Sequence, residues 1–323
     1  MKHPHIFFLF IALFILLTAC AQAAPESAPA AEIADPAPIE MPTEEPMETD
    51  AEKAQRLLDA EQYEEAYALL LSLGFEEQVK ESKYERAVRL YEAGDYAAAS
   101  ALFADLDYRD SADYLQRLDA AALYAALSET DCGETLCFGT YEQDGNLNNG
   151  AEPIEWLVLD KQEDHILLLS LYALDRVNFA YAGNFFVSWE NSAIRQWLNG
   201  QFYPDAFSET EKLLIAQVDT GAEEYALTDD ESAADRAFLL SVTEVEHYLP
   251  GDAAKQCYCT QYASDNGSWH TPSRICRWWL RTAGVGENRK AGIRHQGTIL
   301  RSGFYTYLNY MSVRPALCLA PCA

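Results

Sequence analysis

The sequence has few basic residues for its length. Only 23 Lys and Arg stand against 51 Asp and Glu, so the formal net charge is −28. Nucleic acids and anionic lipid surfaces attract basic proteins because both carry negative charge. The charge balance therefore argues against a nucleic-acid partner and against broad contact with anionic lipid.

A long hydrophobic run is also missing. Lys2 is followed by an apolar run of 12 residues, Ile6 to Leu17. This length is typical of a signal-peptide core, whereas a bilayer span needs about 20 residues. The run ends in Leu17-Thr18-Ala19-Cys20, which is similar to the lipobox of bacterial lipoproteins. That resemblance implies cleavage after residue 19, lipidation of Cys20 and anchoring at the extracytoplasmic face of the cell membrane; the alternative is an ordinary secretory signal.

Basic residues are absent from the segment that follows the signal peptide. Residues 21–50 contain six prolines and eight acidic residues but no Lys or Arg. Such a composition cannot bury a core, and proline stiffness together with charge repulsion keeps the chain extended. Residues 20–50 are therefore predicted to be a disordered tether.

Proline is absent from residues 51–127, where two stretches match at an offset of 33 residues. The matching positions are Tyr63 with Tyr96, Ala66 with Ala99, and Leu70 with Phe103. The pattern resembles tetratricopeptide repeats, which implies paired helices. Residues 111–127 are predicted to be a closing helix. Two readings stay open: a scaffold with a peptide-binding groove, or a rigid spacer.

Residues 131–323 are predicted to form an α+β domain with a mixed, largely antiparallel sheet and short helices. Short runs rich in Val, Ile, Leu and aromatic residues are interrupted by turn signals, which is typical of strands. The predicted strands are 135–141, 154–160, 165–171, 236–241 and 311–319. Ser208 with Glu211 three positions later predicts a capped helix between strands.

The order of motifs in this region resembles a bacterial domain of unknown function, number 6273. The landmarks that carry the resemblance are Phe138 to Tyr141, Pro153 to Asp160, Leu167 to Asp175, Trp189 to Asn199, Ala206 to Glu211, Phe238 to Val245, Trp278 to Gly284 and Val313 to Leu317. The "WWLR" and "VRPAL" stretches are also similar to C-type-lectin-like and sulfatase-modifying folds. Those resemblances imply a loop-rich fold that presents a binding surface, but no assigned reaction.

Acidic residues are nearly absent from residue 271 onward, where eight Lys and Arg accompany the single acid Glu287. Four residues are interpreted as structural framework: Trp278, Trp279, Arg281 and Arg314. On a strand the two indoles point to opposite faces. One is expected in the core and the other under an arginine or over an apolar surface, with both arginines beside buried carboxylates.

The remaining cations are the candidate binding residues. We expect an outward patch on loops, in which arginines and tyrosines bind an anionic or carbohydrate ligand by hydrogen bonding and stacking. Its predicted members are Arg289, Arg294, Arg301, Tyr305 and Tyr307. The alternative is solvated surface charge that balances the acidic tether.

Motifs for chemistry are scarce. No nucleophile elbow and no Gly-rich phosphate loop is present, so we predict neither catalytic residues nor a cofactor. A weak calcium pattern consists of Asp144, Asn146, Asn148 and Glu155, but Asn149 stands where the loop requires glycine. No metal site is therefore predicted. Besides Cys20 seven cysteines remain, and their pairing stays open.

The predicted function is a non-catalytic recognition module that binds a carbohydrate, an envelope polymer or a protein. One alternative is an envelope enzyme on the C-terminal domain, either a hydrolase or an oxidase of the formylglycine-generating type. Another is a scaffold that uses the helical repeats. The sequence gives no nucleic-acid signal and leaves the oligomeric state open.

Overall fold

The computed structural model describes residues 48–181, 187–221, 224–228, 234–283, 289–305 and 310–322. The predicted signal peptide, Cys20 and nearly all of the predicted tether lie outside these residues. None of the helices in the described ranges is both long and apolar enough to cross a bilayer. The chain divides into two units, Met1–Lys53 and Ala54–Ala323, and apart from the start of the first helix the second contains all elements described below.

From residue 48 onward, five helices precede the sheets: α1 (Asp50–Asp59), α2 (Tyr63–Ser72), α3 (Glu76–Glu92), α4 (Tyr96–Ala104) and α5 (Ser111–Leu127). The helices α2 and α4 begin at the two tyrosines that the 33-residue offset aligns. The turns before them also correspond, because Glu61 and Gly94 both have positive φ angles, 58° and 81°. The sequence repeat is therefore a repeat of helix and turn.

Small residues let these helices approach closely. Ala66 and Ala99 are completely buried, and Phe103 stacks on Tyr114 of α5 with ring centroids 4.6 Å apart. The same helix continues into the core of the C-terminal domain, where its residue Leu127 is buried. The α5 helix thus joins the helical region to the sheets.

The described residues of the C-terminal domain contain twelve short strands: β1 (Thr135–Tyr141), β2 (Glu152–Lys161), β3 (Ile166–Ser170), β4 (Asp175–Arg176), β5 (Val218–Asp219), β6 (Ala226–Leu227), β7 (Ala234–Asp235), β8 (Trp278–Ala283), β9 (Arg289–Ile293), β10 (Ile299–Tyr305), β11 (Ser312–Val313) and β12 (Ala316–Leu319). The first sheet has the order β1-β2-β3-β12 and is antiparallel. Strand β2 largely alternates buried and exposed positions, whereas β3 is buried throughout because elements cover both of its faces.

The second sheet has the order β10-β9-β8-β11-β4, in which β8 and β11 are parallel and the other pairs antiparallel. A third sheet has the order β6-β5-β7. Short helices connect the strands: α6 (Ala193–Trp197), α7 (Tyr203–Ala206), α8 (Glu209–Lys212), α9 (Val242–Tyr248), α10 (Gly251–Lys255) and α11 (Gln261–Asp265). A π-helical turn, Leu198–Phe202, joins α6 to α7. The α+β prediction is confirmed.

One predicted strand, residues 236–241, is wrong. Only Phe238 forms a bridge, opposite Ala316 of β12. The backbone N–H groups of Arg236 and Ala237 donate to the side-chain oxygen of Asn199, at 2.7 and 3.1 Å, so a side chain takes the place of a strand ladder there. The predicted capping box of α8, in contrast, is present at Ser208 and Glu211.

Candidate functional site

Strand pairing in the second sheet brings distant parts of the chain to one end. Ser312 of β11 lies opposite Trp278 of the parallel strand β8 and opposite Arg176 of the antiparallel strand β4. Trp278 also lies opposite Ile293 of the antiparallel strand β9. The first residues of β8 and β11 therefore lie beside the last residues of β4 and β9.

Three arginines occupy this end of the sheet: Arg176 ends β4, Arg277 precedes β8, and Arg294 follows β9. Two aromatic residues join them. The guanidinium carbon of Arg277 lies 3.9 Å from the ring centroid of Trp269, and that of Arg176 lies 4.9 Å from the ring centroid of Tyr310. The backbone N–H of Trp269 donates to the backbone carbonyl of Tyr310 at 2.6 Å, so the two arginine–aromatic pairs are neighbours. We call these five residues the cation–aromatic surface.

Both rings retain area for a ligand. Trp269 is 36% exposed and Tyr310 is 58% exposed, although a guanidinium covers part of each ring. Guanidinium groups stacked on aromatic rings gain cation–π energy and are held in a fixed orientation. The surface therefore presents two flat apolar faces beside oriented cations.

The cations act on one another across this surface. Partial burial, followed by the positive charge of Arg294, lowers the pKa of Arg277. An anion that binds between the two would relieve this repulsion. Asp175, which precedes Arg176 in the sequence, accepts hydrogen bonds from Tyr141 and Asn266 at 2.8 Å each. Its two oxygens therefore point to these neutral donors, and no ion pair between Asp175 and the three arginines is found among the described residues.

The structure does not gather the five predicted binding residues. Arg289 and Tyr305 lie opposite each other in the β9–β10 hairpin, on strands rather than on the expected loops. Arg294 follows the other end of the five-residue strand β9, about 16 Å away at ~3.3 Å per residue. Arg301 contacts the exposed Glu246 at 3.3 Å, and Tyr307 lies outside the described residues. Of the predicted five, only Arg294 belongs to the cation–aromatic surface.

Comparison with known proteins concerns the part of the chain that carries this surface. Residues 163–321 match the family described as Domain of unknown function (DUF6273). All five residues of the cation–aromatic surface lie within the DUF6273 match, whereas β1 and β2 precede it. No curated protein and no solved structure matches the chain.

Trp278 and Trp279, the tryptophans interpreted as structural framework, are both fully buried. Each indole N–H donates to a backbone carbonyl at 3.0 Å, that of Lys255 for Trp278 and that of Val177 for Trp279. Trp278 also lies under the guanidinium of Arg314, 5.1 Å from its ring centroid. Neither indole remains at the surface, because the sheet is covered on both faces.

The two framework arginines differ in their partners. Arg281 forms a bidentate pair with Glu244, with N–O distances of 2.5 and 2.6 Å, and both side chains are buried. Arg314 was also expected beside a carboxylate, but it donates to the carbonyl of Ser170 at 2.8 Å. Its Nη1 is buried and has no hydrogen-bond partner in the described part of the chain.

A cleft with a volume of ≈ 920 Å³ lies elsewhere in the domain. Its acidic residues include Asp160, Glu163, Asp164 and Glu224. A chain of hydrogen bonds runs from Asp164 to His165 Nδ1 at 2.7 Å and from His165 Nε2 to the Tyr225 hydroxyl at 2.9 Å. Burial raises the pKa of Tyr225, so its phenol stays protonated. No local sequence pattern predicts this chain of contacts, because His165 and Tyr225 are 60 positions apart.

The side chains of this cleft limit which chemistry it offers. Among its described lining residues none is Ser, Thr or Cys, so a hydroxyl or thiol nucleophile of that kind is absent there. Carboxylates and His165 are present, and the negative charge of the carboxylates suits a cationic ligand. Carboxylates beside a base also occur in enzymes, so the cleft does not decide between binding and the alternative of an envelope enzyme.

The weak calcium pattern is only partly assembled. Asp144 and Asn146 accept hydrogen bonds from backbone N–H groups two residues later, at 2.7 and 3.3 Å, so their oxygens stabilise the loop itself. The carboxylates that converge within the described ranges belong to Glu142, Asp144 and Glu152. This group includes neither Glu155 nor the two asparagines Asn146 and Asn148. Exposed acidic groups of this kind are common without a metal, and we assign none.

Proposed function

We propose that this protein is a lipid-anchored recognition module and that its cation–aromatic surface binds an anionic envelope polymer, a glycan that carries carboxylate or phosphate groups. The observation that carries the proposal is the pairing of Arg277 with Trp269 and of Arg176 with Tyr310 at partly exposed positions. Sugar rings can pack on the flat apolar faces, while guanidinium groups form bidentate hydrogen bonds with anionic groups. A chain with net charge −28 gains such a cationic site only by concentrating its arginines.

A polymer fits this surface better than a folded protein partner. A stable protein–protein interface uses about 20–30 residues on each side. The cation–aromatic surface has five, enough for one or two sugar units. A repetitive polymer compensates for a small site because many equivalent sites lie on one molecule.

Removing two cations of the surface should weaken binding. We expect the Arg277→Gln/Arg294→Gln variant of the full-length chain to bind polygalacturonate and poly(glycerol phosphate) at least about tenfold more weakly, since tenfold corresponds to ~1.4 kcal/mol and one charged hydrogen bond contributes roughly 1.5–3 kcal/mol. Isothermal titration calorimetry at low salt measures the difference. Neutral dextran serves as the uncharged ligand.

The matched control is Arg109→Gln/Arg301→Gln, which removes the same charge from exposed positions outside the surface. It should keep the affinity of the unaltered chain within about twofold. Equal loss in both variants would mean that only overall charge matters. Unchanged affinity in the Arg277/Arg294 variant would rule out the proposed site.

Lipid anchoring is a separate part of the proposal and has its own test. In bacteria grown with an alkyne-tagged fatty acid, the chain should carry the label in the membrane fraction, and Cys20→Ser should lose it. Cys132→Ser, at an exposed cysteine, is the control and should stay labelled. Labelling that persists in Cys20→Ser would contradict anchoring at that residue.

The helical region is proposed to act as a tetratricopeptide-like spacer rather than as a groove. Residues of α5 are buried in both the helical cluster (Leu118) and the core of the C-terminal domain (Ala120 and Leu127), which supports this role. A helix that is buried in both would hold the C-terminal domain at a fixed position on the repeats. So short an array also offers little concave surface.

A further inference from the structure

Three cysteines share one face of a small antiparallel bridge. Tyr258 lies opposite Ile275, and the Cys276 N–H donates to the Cys257 carbonyl at 2.8 Å. Cys257 and Cys276 are therefore directly opposed. Because side chains alternate along an extended strand, Cys259 points to the same side as Cys257, and Tyr258 points away from both.

Cys276 lies between the other two cysteines of the cluster. Its Sγ donates to the Cys257 carbonyl at 3.3 Å. It lies opposite Cys257 and diagonally opposite Cys259 across the bridge. All three residues are buried. Cys276 is thus the member of the cluster that neighbours both others.

Charges around the cluster favour different protonation states at its members. A hydrogen bond with Cys276, opposed by burial, lowers the pKa of Cys259 to about 7, and the charge of His270 adds to the effect. At Cys257 burial opposes ionisation, but the Cys276 hydrogen bond and the charge of Arg314 outweigh it and lower the pKa. Burial, followed by those same hydrogen bonds, raises the pKa of Cys276. The cluster therefore combines two thiols whose pKa values are lowered with one whose pKa is raised.

Arg314 supplies an observation independent of the thiols. Its side chain is buried, and its Nη1 has no hydrogen-bond partner among the described residues. A buried guanidinium that lacks a carboxylate is costly unless a negative charge forms nearby. The Cys257 thiolate is such a charge. A bound metal cation would be disfavoured at the same place, and the three sulfurs are not among the described groups close enough to share an ion.

We propose that Cys259 and Cys276 form a redox-active dithiol and that Cys257 is a second disulfide partner for Cys276. The oxidant is a low-molecular-mass disulfide. The Cys259 thiolate attacks one sulfur of that disulfide, which forms a mixed disulfide and releases one thiolate. Cys276 then gives up its proton and attacks the Cys259 sulfur. The Cys259–Cys276 disulfide forms, the second small thiol leaves with that proton, and two protein thiols have been oxidised while one external disulfide becomes two thiols.

Because Cys257 lies opposite Cys276, the disulfide of Cys276 can pass from Cys259 to Cys257 without a large movement of the chain. Once Cys276 is joined to Cys259, the neighbouring Cys257 thiolate can attack Cys276 and release Cys259. The pKa values of Cys257 and Cys259 are lowered, so attack by either of these thiols proceeds near neutral pH, whereas attack by Cys276, whose pKa is raised, is slower. Burial requires a local opening before the first attack, so oxidation should be slow compared with that of exposed thiols.

Oxidation in a defined redox buffer tests the proposal. The full-length chain is equilibrated with reduced and oxidised glutathione at several ratios, quenched with acid, unfolded, alkylated with a maleimide and mapped by peptide mass spectrometry. We expect a loss of two thiols per chain from the cluster, with Cys276 joined to Cys259 or Cys257. In Cys276→Ser, glutathione should accumulate on Cys259, because the resolving thiol is missing. Cys318→Ser, at an equally buried cysteine outside the cluster, should oxidise like the unaltered chain.

Two results would overturn the proposal. One is a Cys276 that stays fully alkylated in the unaltered chain at every glutathione ratio, a result that does not depend on the folding of any variant. The other is stoichiometric Zn²⁺ binding in native mass spectrometry that protects all three thiols, which would make the cluster a metal site. Should Cys276→Ser fail to fold by circular dichroism, Cys276→Ala replaces it in the glutathione-trapping measurement.

Discussion

The Glu244→Ala variant should unfold with a free energy of unfolding about 3–5 kcal/mol smaller than that of the unaltered chain, the range found when one partner of a buried ion pair is removed. Its carboxylate has three roles. It forms the bidentate pair with Arg281, it accepts the backbone N–H of Ser241 at 2.8 Å in the capping box of α9, and it accepts that of Tyr225 at 2.8 Å. Alanine would leave the Arg281 charge buried beside unsatisfied N–H groups.

Urea unfolding followed by circular dichroism measures this loss. The control is Glu246→Ala on the same helix, because Glu246 pairs with Arg301 at 3.3 Å with both side chains 54% exposed. Exposed pairs contribute about 0–1 kcal/mol, so this variant should be nearly as stable as the unaltered chain. A Glu244→Ala variant that loses less than about 1 kcal/mol would show that the pair does not hold α9 on β8.

The Gly139→Ala variant should lose about 3 kcal/mol or more. Gly139 has φ +70°, and an added Cβ would lie 2.4 Å from a ring carbon of Phe207 and 2.8 Å from the carbonyl oxygen of Ala206. The left-handed backbone contributes roughly 1–2 kcal/mol, and overpacking a core contributes roughly 1–3 kcal/mol. The position lies where the β1–β2 register shifts, and its N–H donates to Glu211 at 2.9 Å.

The matched control separates the two contributions. Gly133 has φ +89° but nothing within 4 Å of its added Cβ. Gly133→Ala should therefore lose only the backbone part, about 1–2 kcal/mol. Thermal or urea unfolding of both variants gives the difference. An equal decrease in the free energy of unfolding for both variants would mean that the Phe207 ring can move away from the added Cβ without an energetic cost.

Local patterns in the sequence predict much of the fold. Strand β1 and helix α5 have the predicted bounds, and the Ser208 capping box forms because its geometry depends only on residues three positions apart. Residues 236–241 do not form a strand because the side chain of Asn199, which is distant in sequence, accepts the backbone N–H groups of Arg236 and Ala237. Contacts of that kind leave no local pattern.

The candidate site depends on pairings that a single sequence does not specify. The excess of arginine after residue 271 supplies two of the three cations of the surface, Arg277 and Arg294. Arg176 lies near Arg277 only because β4 and β8 flank β11 in the sheet. Strands β4 and β11 have two residues each, which is too short for a sequence pattern to predict this topology. The same holds for the thiols: the alternation of Cys257 and Cys259 is visible in the sequence, but their contact with Cys276 requires the bridge between Tyr258 and Ile275.

Fluorine NMR of the full-length chain labelled with 5-fluorotryptophan can show whether an anionic polymer binds at the cation–aromatic surface. The chain has six tryptophans, and Trp269→Phe assigns the resonance of Trp269. On titration with polygalacturonate, the Trp269 resonance should shift saturably, and those of the buried Trp278 and Trp279 should not. The shift should be absent in Arg277→Gln/Arg294→Gln. Saturable binding of the polymer with an unchanged Trp269 resonance would mean that the polymer binds somewhere other than the cation–aromatic surface.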